Sequence, residues 1–264
     1  MDFEDYVIQF FKDKYKIDLT IAPEIVIDKF IFPNYITTKV LNINNEEYTN
    51  FEYCRIINKL FGYWYNDTKL SYYESDKVQI TKDDIVFDCG ANTGIFTLYS
   101  SYKAKHAYAF EPMTLIRHYL RNTIAYNYDK ITVVPSGVSN ASTIAYLNQA
   151  DNPGASRLAQ FEMPNYHKIL FKELVTLVTI DDFVKRYGVI PTFIKMDIEN
   201  SELDALQGAI NTLNTYKPKC SISIHENNIN QLAEITTLFP KDYQFLIKDN
   251  EEYYDPILFC WVDQ

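Results

Sequence analysis

The chain has 264 residues, with 35 acidic and 25 basic side chains and a formal charge of −10. Its hydrophobic content of 47% and charged content of 23% are those of a globular protein long enough to bury a large core, which excludes a disordered or fibrous chain. The acidic excess argues against nucleic acid, whose phosphates need a basic footprint, and fits a neutral or cationic ligand or one held by backbone amides.

The amino-terminal stretch MDFEDYVIQFFKDKYK has no basic start and is interrupted by charge, so it does not read as a signal peptide. No apolar run approaches the roughly 18 residues needed to span a bilayer, and the expected location is the cytoplasm. Cys54, Cys89, Cys220 and Cys260 form no CxxC pair and read as reduced thiols, three of them in apolar runs. The 22 Tyr and 17 Phe read mainly as core and sheet material.

Residues 1–80 differ from the rest. Phe3, Val7, Phe10 and Phe11 recur at helical spacing, as do Phe51, Cys54, Ile57, Leu60 and Phe61. Pro23 and Pro33 break the stretch between them. The expectation is a helical and irregular cap, ending in a strand at KVQI, that covers one side of the core and shapes the substrate site. The aromatic run FGYWYND in that cap suits either sugar stacking or core packing.

From residue 81 to the end, short apolar strands alternate with amphipathic helices. Strands are expected at DIVFD, HAYAF, ITVV, TFIKMD, KCSISIH, YQFLI and ILFCWV. The helices between them are GIFTLYSSYK, MTLIRHYLRNTIAYN, TIDDFVKRYG, SELDALQGAINTL and NINQLAEITTLF. That alternation predicts an α/β domain with a mostly parallel sheet. The short link between the last two strands predicts an antiparallel hairpin. Residues 140–177 interrupt the pattern, with strands at STIAYL and ELVTLV around an irregular loop, a usual place for substrate-shaping residues.

The turn DCGANTG lies between a strand and a helix, where a nucleotide-binding turn belongs. Gly90 can take a positive φ and admit a ligand to the backbone, and Gly94 lets the helix start close to the sheet. A dinucleotide fingerprint would need glycine at 92 and 95, where Asn92 and Ile95 stand, and no phosphate-loop lysine follows. An NAD-dependent oxidoreductase is therefore the weaker reading. Asp88 at the strand end repels phosphate and attracts an ammonium or sulfonium group. Glu111, at the end of AYAFE, stands where both ribose hydroxyls of a nucleoside would reach it. Two acids around a glycine turn suit S-adenosylmethionine, which has a ribose, a sulfonium and an amino-acid tail but no phosphate.

The blocks VFDCGANTGIFTLYS, AYAFEP, TLVTIDDFV and FIKMDIENSELDALQGA resemble, in order and spacing, those of the FkbM-type methyltransferases of the class I S-adenosylmethionine-dependent fold. The resemblance runs from about residue 80 to the end. It implies a Rossmann-like, seven-stranded sheet closed by an antiparallel hairpin, and O-methylation of a hydroxyl on a sugar, glycan or glycosylated metabolite. By the same resemblance the turn Asp88, Gly90, Ala91, Asn92 and Gly94 holds the methionine part, Glu111 holds the ribose, and Ser136 and Gly137 lie near the adenine. One position departs from the family pattern: Asn200 stands where a glycine is usual, and Asn tolerates left-handed backbone better than most residues. That departure leaves room for a catalytically inactive, methyltransferase-like binding module.

Ligands of such sheets sit beyond the carboxyl ends of the strands. There TFIKMD delivers Lys195 and Asp197, with Glu199 just beyond, and KCSISIHEN delivers His225, Glu226 and Asn227. His225 is the natural general base by intrinsic pKa, and Asp197 serves equally well or orients a histidine or substrate hydroxyl. Glu199 and Glu202 open a helix, where carboxylates are favourable in any case, and Glu202 reads as a capping residue. Asp197, Glu226 and Asn227 also form a plausible Mg²⁺ ligand set. The charge of Lys195 nearby makes metal-independent chemistry the expectation. The partner expected is a small-molecule or glycan acceptor, with no nucleic acid.

Overall fold

The computed structural model describes residues 72–127, 130–151, 153–225, 229–248 and 255–263, together with three short strands near the amino terminus. Those strands, β1 (Thr20–Ile21), β2 (Glu24–Ile27) and β3 (Phe30–Pro33), form an antiparallel sheet in that order. The segment between the two prolines, expected to be irregular, is therefore partly strand. Pro33 ends the edge strand β3, where a missing N–H is tolerated. The helices expected around Phe3–Phe11 and Phe51–Phe61, and the run FGYWYND, lie outside the described residues. KVQI is not a strand. Ser75 and Val78 exchange backbone hydrogen bonds of 3.0 and 3.2 Å, and the buried Glu74 carboxylate accepts from Ile80 N at 2.8 Å, so the segment is folded into a turn with no sheet partner.

The main domain starts with β4 (Ile85–Cys89), α1 (Ile95–Lys103), β5 (His106–Phe110), α2 (Thr114–Asn127) and β6 (Ile131–Val134). An inserted block follows: β7 (Gly137–Val138), β8 (Thr143–Ala150), a 3₁₀ turn at Pro153–Ala155, β9 (Arg157–Leu158) and β10 (Ile169–Val178). The remaining elements are α3 (Ile180–Tyr187), β11 (Phe193–Met196), α4 (Glu202–Gln207), α5 (Ile210–Tyr216), β12 (Lys219–Ser223), α6 (Ile229–Thr237), β13 (Gln244–Lys248) and β14 (Ile257–Trp261).

The main sheet has seven strands in the order β6-β5-β4-β11-β12-β14-β13. β14 runs antiparallel to both its neighbours, and the other pairs are parallel. The chain winds outward from β4 to β6, then returns to place β11 on the other side of β4. That reversal leaves a crevice beyond the carboxyl ends of β4 and β11, where α/β sheets bind ligands. The insertion forms a separate four-stranded sheet, β7-β10-β8-β9. Much of the loop expected between STIAYL and ELVTLV is thus structured: β8 runs on through Ala150, and β9 pairs with it through Leu147↔Leu158 and Asn148↔Arg157.

Phe87, Phe110 and Phe183 meet at the centre of the core with ring centroids 5.0–5.5 Å apart, two of the three contacts edge-on. α3 is a well-capped helix: Thr179 Oγ1 accepts from Asp182 N, Lys185 and Arg186 lie in the last turn, and Gly188 closes it at φ +67°. The expected helix SELDALQGAINTL is instead two, α4 and α5, broken around Gly208. A Cβ on Gly208 would lie 2.1 Å from Ser139 O, so that point of the chain is pressed against the β7 turn. Among the described residues no helix is long and apolar enough to cross a membrane.

Candidate functional site

The turn after β4 is held by its neighbours. Gly90, Asn92 and Gly94 all have positive φ, at +79°, +51° and +88°. Gly90 N and Ala91 N both donate to Phe110 O, at 3.1 and 3.0 Å. Glycine is required at 90 because a Cβ there would lie 2.0 Å from Asp197 O, whereas at 94 it is the positive φ that favours glycine, a Cβ there meeting the end of the Leu120 side chain at 2.4 Å. The first contact is informative: the turn packs directly on the end of β11.

Glu111 follows β5 and is 5% exposed. Oε2 accepts from Asn92 N at 3.0 Å and Oε1 from Met113 N at 2.8 Å, so the carboxylate is fixed in orientation and keeps a lone pair on each oxygen. Burial pushes its pKa up to about 7, against the two backbone hydrogen bonds and the more distant charges of Arg117 and Lys195.

Asp88 and Lys195 form a buried pair. Lys195 Nζ is 3.1 Å from Asp88 Oδ1 and donates to Gly90 O at 2.9 Å, while Thr97 Oγ1 donates to Asp88 Oδ2 at 2.5 Å. Burial works against the ammonium, yet the charges of Asp88 and Asp197 raise the Lys195 pKa. Asp88 is fully enclosed, so its side chain holds the loop and the lysine together instead of meeting a ligand.

The reacting end is built from four segments. Asp197 accepts at Oδ2 from the Tyr73 hydroxyl, 2.6 Å away, and its Oδ1 lies 3.3 Å from His225 Nε2. The same nitrogen is 3.2 Å from Glu202 Oε1, and His225 Nδ1 is 3.1 Å from Asp255 Oδ2. Burial disfavours the imidazolium, but the Glu202 charge and hydrogen bonds to Asp197, Asp255 and Glu202 outweigh it and raise the His225 pKa well above the ordinary value. The raised pKa disfavours His225 as a proton acceptor, and its Nε2 also accepts from Glu199 N at 3.2 Å. Glu202, expected to cap its helix, instead accepts from Ile198 N at 2.8 Å, in the turn before α4, and faces His225.

The turn after Asp197 is left-handed at Glu199 (φ +55°) and at Asn200 (φ +72°), so Asn200 adopts the backbone a glycine would supply. Glu199 reaches the insertion, where Arg157 Nη2 lies 3.0 Å from its Oε2. Burial lifts the Glu199 pKa to about 7; His225 and Arg157 oppose the shift, and Asp197 and Glu202 add to it.

One cleft joins these parts. Its walls include Gly90, Asn92 and Glu111 from the β4 and β5 ends, Asp197 and Glu199 after β11, and Gly137, Leu147, Arg157 and Leu158 from the insertion. Of the residues expected from sequence, Ala91 is instead packed with Ala109 and Leu120, and Ser136 turns its hydroxyl to Thr176 Oγ1 at 2.9 Å. Glu226 and Asn227 lie outside the described residues. Asp197, Glu199 and His225 offer ligand atoms within 4.8 Å of one another, the one such group among the described residues. Within that group Arg157 holds Glu199 Oε2, Asp255 meets His225 Nδ1, and Asp197 and Glu202 face His225 Nε2. Tyr73, Arg157 and Asp255 carry no signal in the sequence. Tyr73 is one of 22 tyrosines, Arg157 stands in a stretch without periodicity, and Asp255 looks like an ordinary Asp-Pro turn.

Sheet order, reversal point and carboxylate-lined cleft together define an α/β, methyltransferase-like fold with a mixed sheet. The family model "Methyltransferase FkbM domain" matches residues 88–251, more than half of the chain. The chain belongs to the FkbM methyltransferase family. It is similar to the crystal structure of methyltransferase FkbM from Methylobacillus flagellatus KT, with 25% identity and a TM-score of 0.55. That match covers 72% of this chain and 46% of the other, so this chain spans about half the length of that relative. An rRNA methylase from Streptococcus thermophilus is similar at 9% identity and a TM-score of 0.45, covering 70% and 90% of the two chains. A methyltransferase from Streptococcus mutans in complex with SAH is similar at 10% identity and a TM-score of 0.44, covering 72% and 94%. No curated protein matches the sequence.

Proposed function

We propose that the protein is an S-adenosylmethionine-dependent O-methyltransferase acting on a hydroxyl of a sugar, glycan or glycosylated metabolite. The observation that carries the reading is that Glu111 and Asp197 line one cleft on either side of the Gly90 turn, at the reversal point of the sheet. The fixed Glu111 carboxylate has two oxygens ready for a vicinal diol such as a ribose. The backbone of residues 90–94, bent by three positive φ values, suits an amino-acid tail. The net charge of −10 favours a neutral acceptor over an anionic polymer. Residues 1–80 contribute to acceptor choice in this reading.

Bound S-adenosylmethionine supplies an electrophilic methyl group on a sulfonium. The protein's task is to align the acceptor oxygen with it, which contributes about 7–11 kcal/mol when geometry is in line. Asp197 receives the acceptor's proton as the new C–O bond forms, a contribution of roughly 10²–10⁴-fold. His225, with Nε2 3.3 Å from Asp197 Oδ1, helps to hold Asp197 in place, and Lys195 fixes the turn through Gly90 O. No step needs a metal ion.

Titration calorimetry with S-adenosylmethionine, S-adenosylhomocysteine and NAD tests the cofactor assignment. The expected result is binding of the first two, loss of both in Glu111→Ala, and no binding of NAD. Binding of NAD alone, or of none of the three, would overturn it.

A further inference from the structure

We propose that Tyr73, from the arm preceding the main sheet, is a positioning residue for Asp197 in the transfer reaction; the proposal rests on the role given to Asp197 above. Tyr73 is 3% exposed. Its ring lies edge-on to Phe96 at 5.2 Å and to Tyr72 at 4.9 Å, with Lys195 Nζ 5.1 Å from its centroid. Packing on these sides fixes the ring, so its hydroxyl meets Asp197 Oδ2 at 2.6 Å with little side-chain entropy left to lose.

A buried tyrosine hydroxyl usually finds some partner, and the adjacent residue shows the ordinary case. Tyr72 donates to a backbone carbonyl, Asp255 O, at 2.5 Å. Tyr73 instead donates to a carboxylate that lines the cleft. The two tyrosines grip one chain of contacts: Tyr72 holds Asp255, Asp255 holds His225 Nδ1, His225 Nε2 faces Asp197 Oδ1, and Tyr73 holds Asp197 Oδ2. Asp197 is thus fixed at both oxygens from two directions. A carboxylate has about four acceptor positions, so the two pinned oxygens still offer lone pairs to a hydroxyl in the cleft. During transfer the acceptor's proton passes to Asp197, the C–S electron pair stays with sulfur, and Tyr73 keeps its own proton and donates throughout.

Tyr73→Phe and Tyr72→Phe in the full chain separate a direct contact from an indirect one, since each deletes one hydroxyl and keeps the ring. With carboxyl-¹³C aspartate and S-adenosylhomocysteine added, the Asp197 Cγ resonance at pH 7 should move more in Tyr73→Phe, whose hydroxyl touches Asp197, than in Tyr72→Phe, which acts through Asp255 and His225. With S-adenosylmethionine and a panel of methyl glycosides, Tyr73→Phe should lower kcat by about 10²-fold, the cost of a misplaced reacting group, while acceptor KM and S-adenosylhomocysteine affinity stay within about threefold. An Asp197 resonance unmoved by Tyr73→Phe, or moved equally by both variants, overturns the proposal, as does an unchanged kcat. Wild-type protein inactive on every glycoside counts against the acceptor class, and the Asp197 resonance then decides Tyr73 alone.

Discussion

Lys195 and Asp88 face each other across β11 and β4 with Nζ 3.1 Å from Oδ1, both side chains buried, and their Cα atoms in register on adjacent parallel strands. The pair joins the two strands whose ends make the cleft.

Breaking it from one side should be costly, because the other charge stays buried without its partner. Lys195→Met and Asp88→Asn are each expected to lower unfolding stability by about 3–5 kcal/mol. The double variant should lose less than the two single losses combined. Urea denaturation of the three variants checks this, and strict additivity would mean that the contact contributes nothing as a pair.

Gly90 and Gly188 both sit at positive φ but in different surroundings. A Cβ on Gly90 would lie 2.0 Å from Asp197 O, whereas one on Gly188 has nothing within 4 Å. Gly188→Ala should cost roughly 1–2 kcal/mol from backbone strain alone. Gly90→Ala must also part the β4 turn from β11, and is expected to lose cofactor binding as well as more stability. Thermal melts with and without S-adenosylhomocysteine separate the two effects.

Gln149, on β8, is fully buried, and neither polar atom of its amide has a hydrogen-bond partner among the described residues. An unsatisfied buried polar group costs about 1–3 kcal/mol. Gln149→Met, which keeps the length and removes the amide, is expected to raise the melting temperature. A lower one would mean that the amide contributes to the fold.

The pKa values of Glu111 and Glu199 are both raised from 4.5 to about 7 by burial, before any ligand binds. A carboxyl group whose folded pKa is raised favours the folded state below its unfolded pKa, and that contribution is lost as pH climbs through the folded one. Stability of the free protein should therefore fall between about pH 4.5 and 7, with a shallower slope in Glu111→Ala. His225 acts at higher pH. Its folded pKa lies well above 6.5, so its contribution is complete below that value and disappears as pH rises through the folded pKa. His225→Gln should flatten the alkaline limb of a melting-temperature profile.

Asp197→Asn should keep S-adenosylhomocysteine affinity and lower methyl transfer by about 10²–10⁴-fold. Equal transfer by the variant, measured on any acceptor the wild type accepts, would move the proton acceptor elsewhere.

The sheet was readable from sequence because each strand is a short apolar run between punctuating residues, and the turn because three positive-φ positions carry Gly, Asn and Gly. Glu111 could be placed because it directly follows a strand. His225 lies beside Asp197 at the end of the sheet, but its intrinsic pKa is a property of the residue alone, whereas the acids that raise it come from β11's end, α4 and the loop before β14. Asp88 is buried against Lys195, a pairing that alternation along β4 does not reveal. Arg157 reaches the cleft, and Tyr73 the Asp197 carboxylate, by long-range packing, which no local pattern encodes.

The insertion has its own sheet, yet it supplies one wall of the cleft, and its Arg157 makes an ion pair with Glu199 beyond β11. The turns after β4 and β5 and the insertion occupy separate stretches of chain, 88–113 and 137–178. The two halves can therefore diversify independently. Grafting the block from Gly137 to Val178 between relatives would exchange one wall while leaving Glu111 and Asp197 in place, provided that an arginine still meets Glu199.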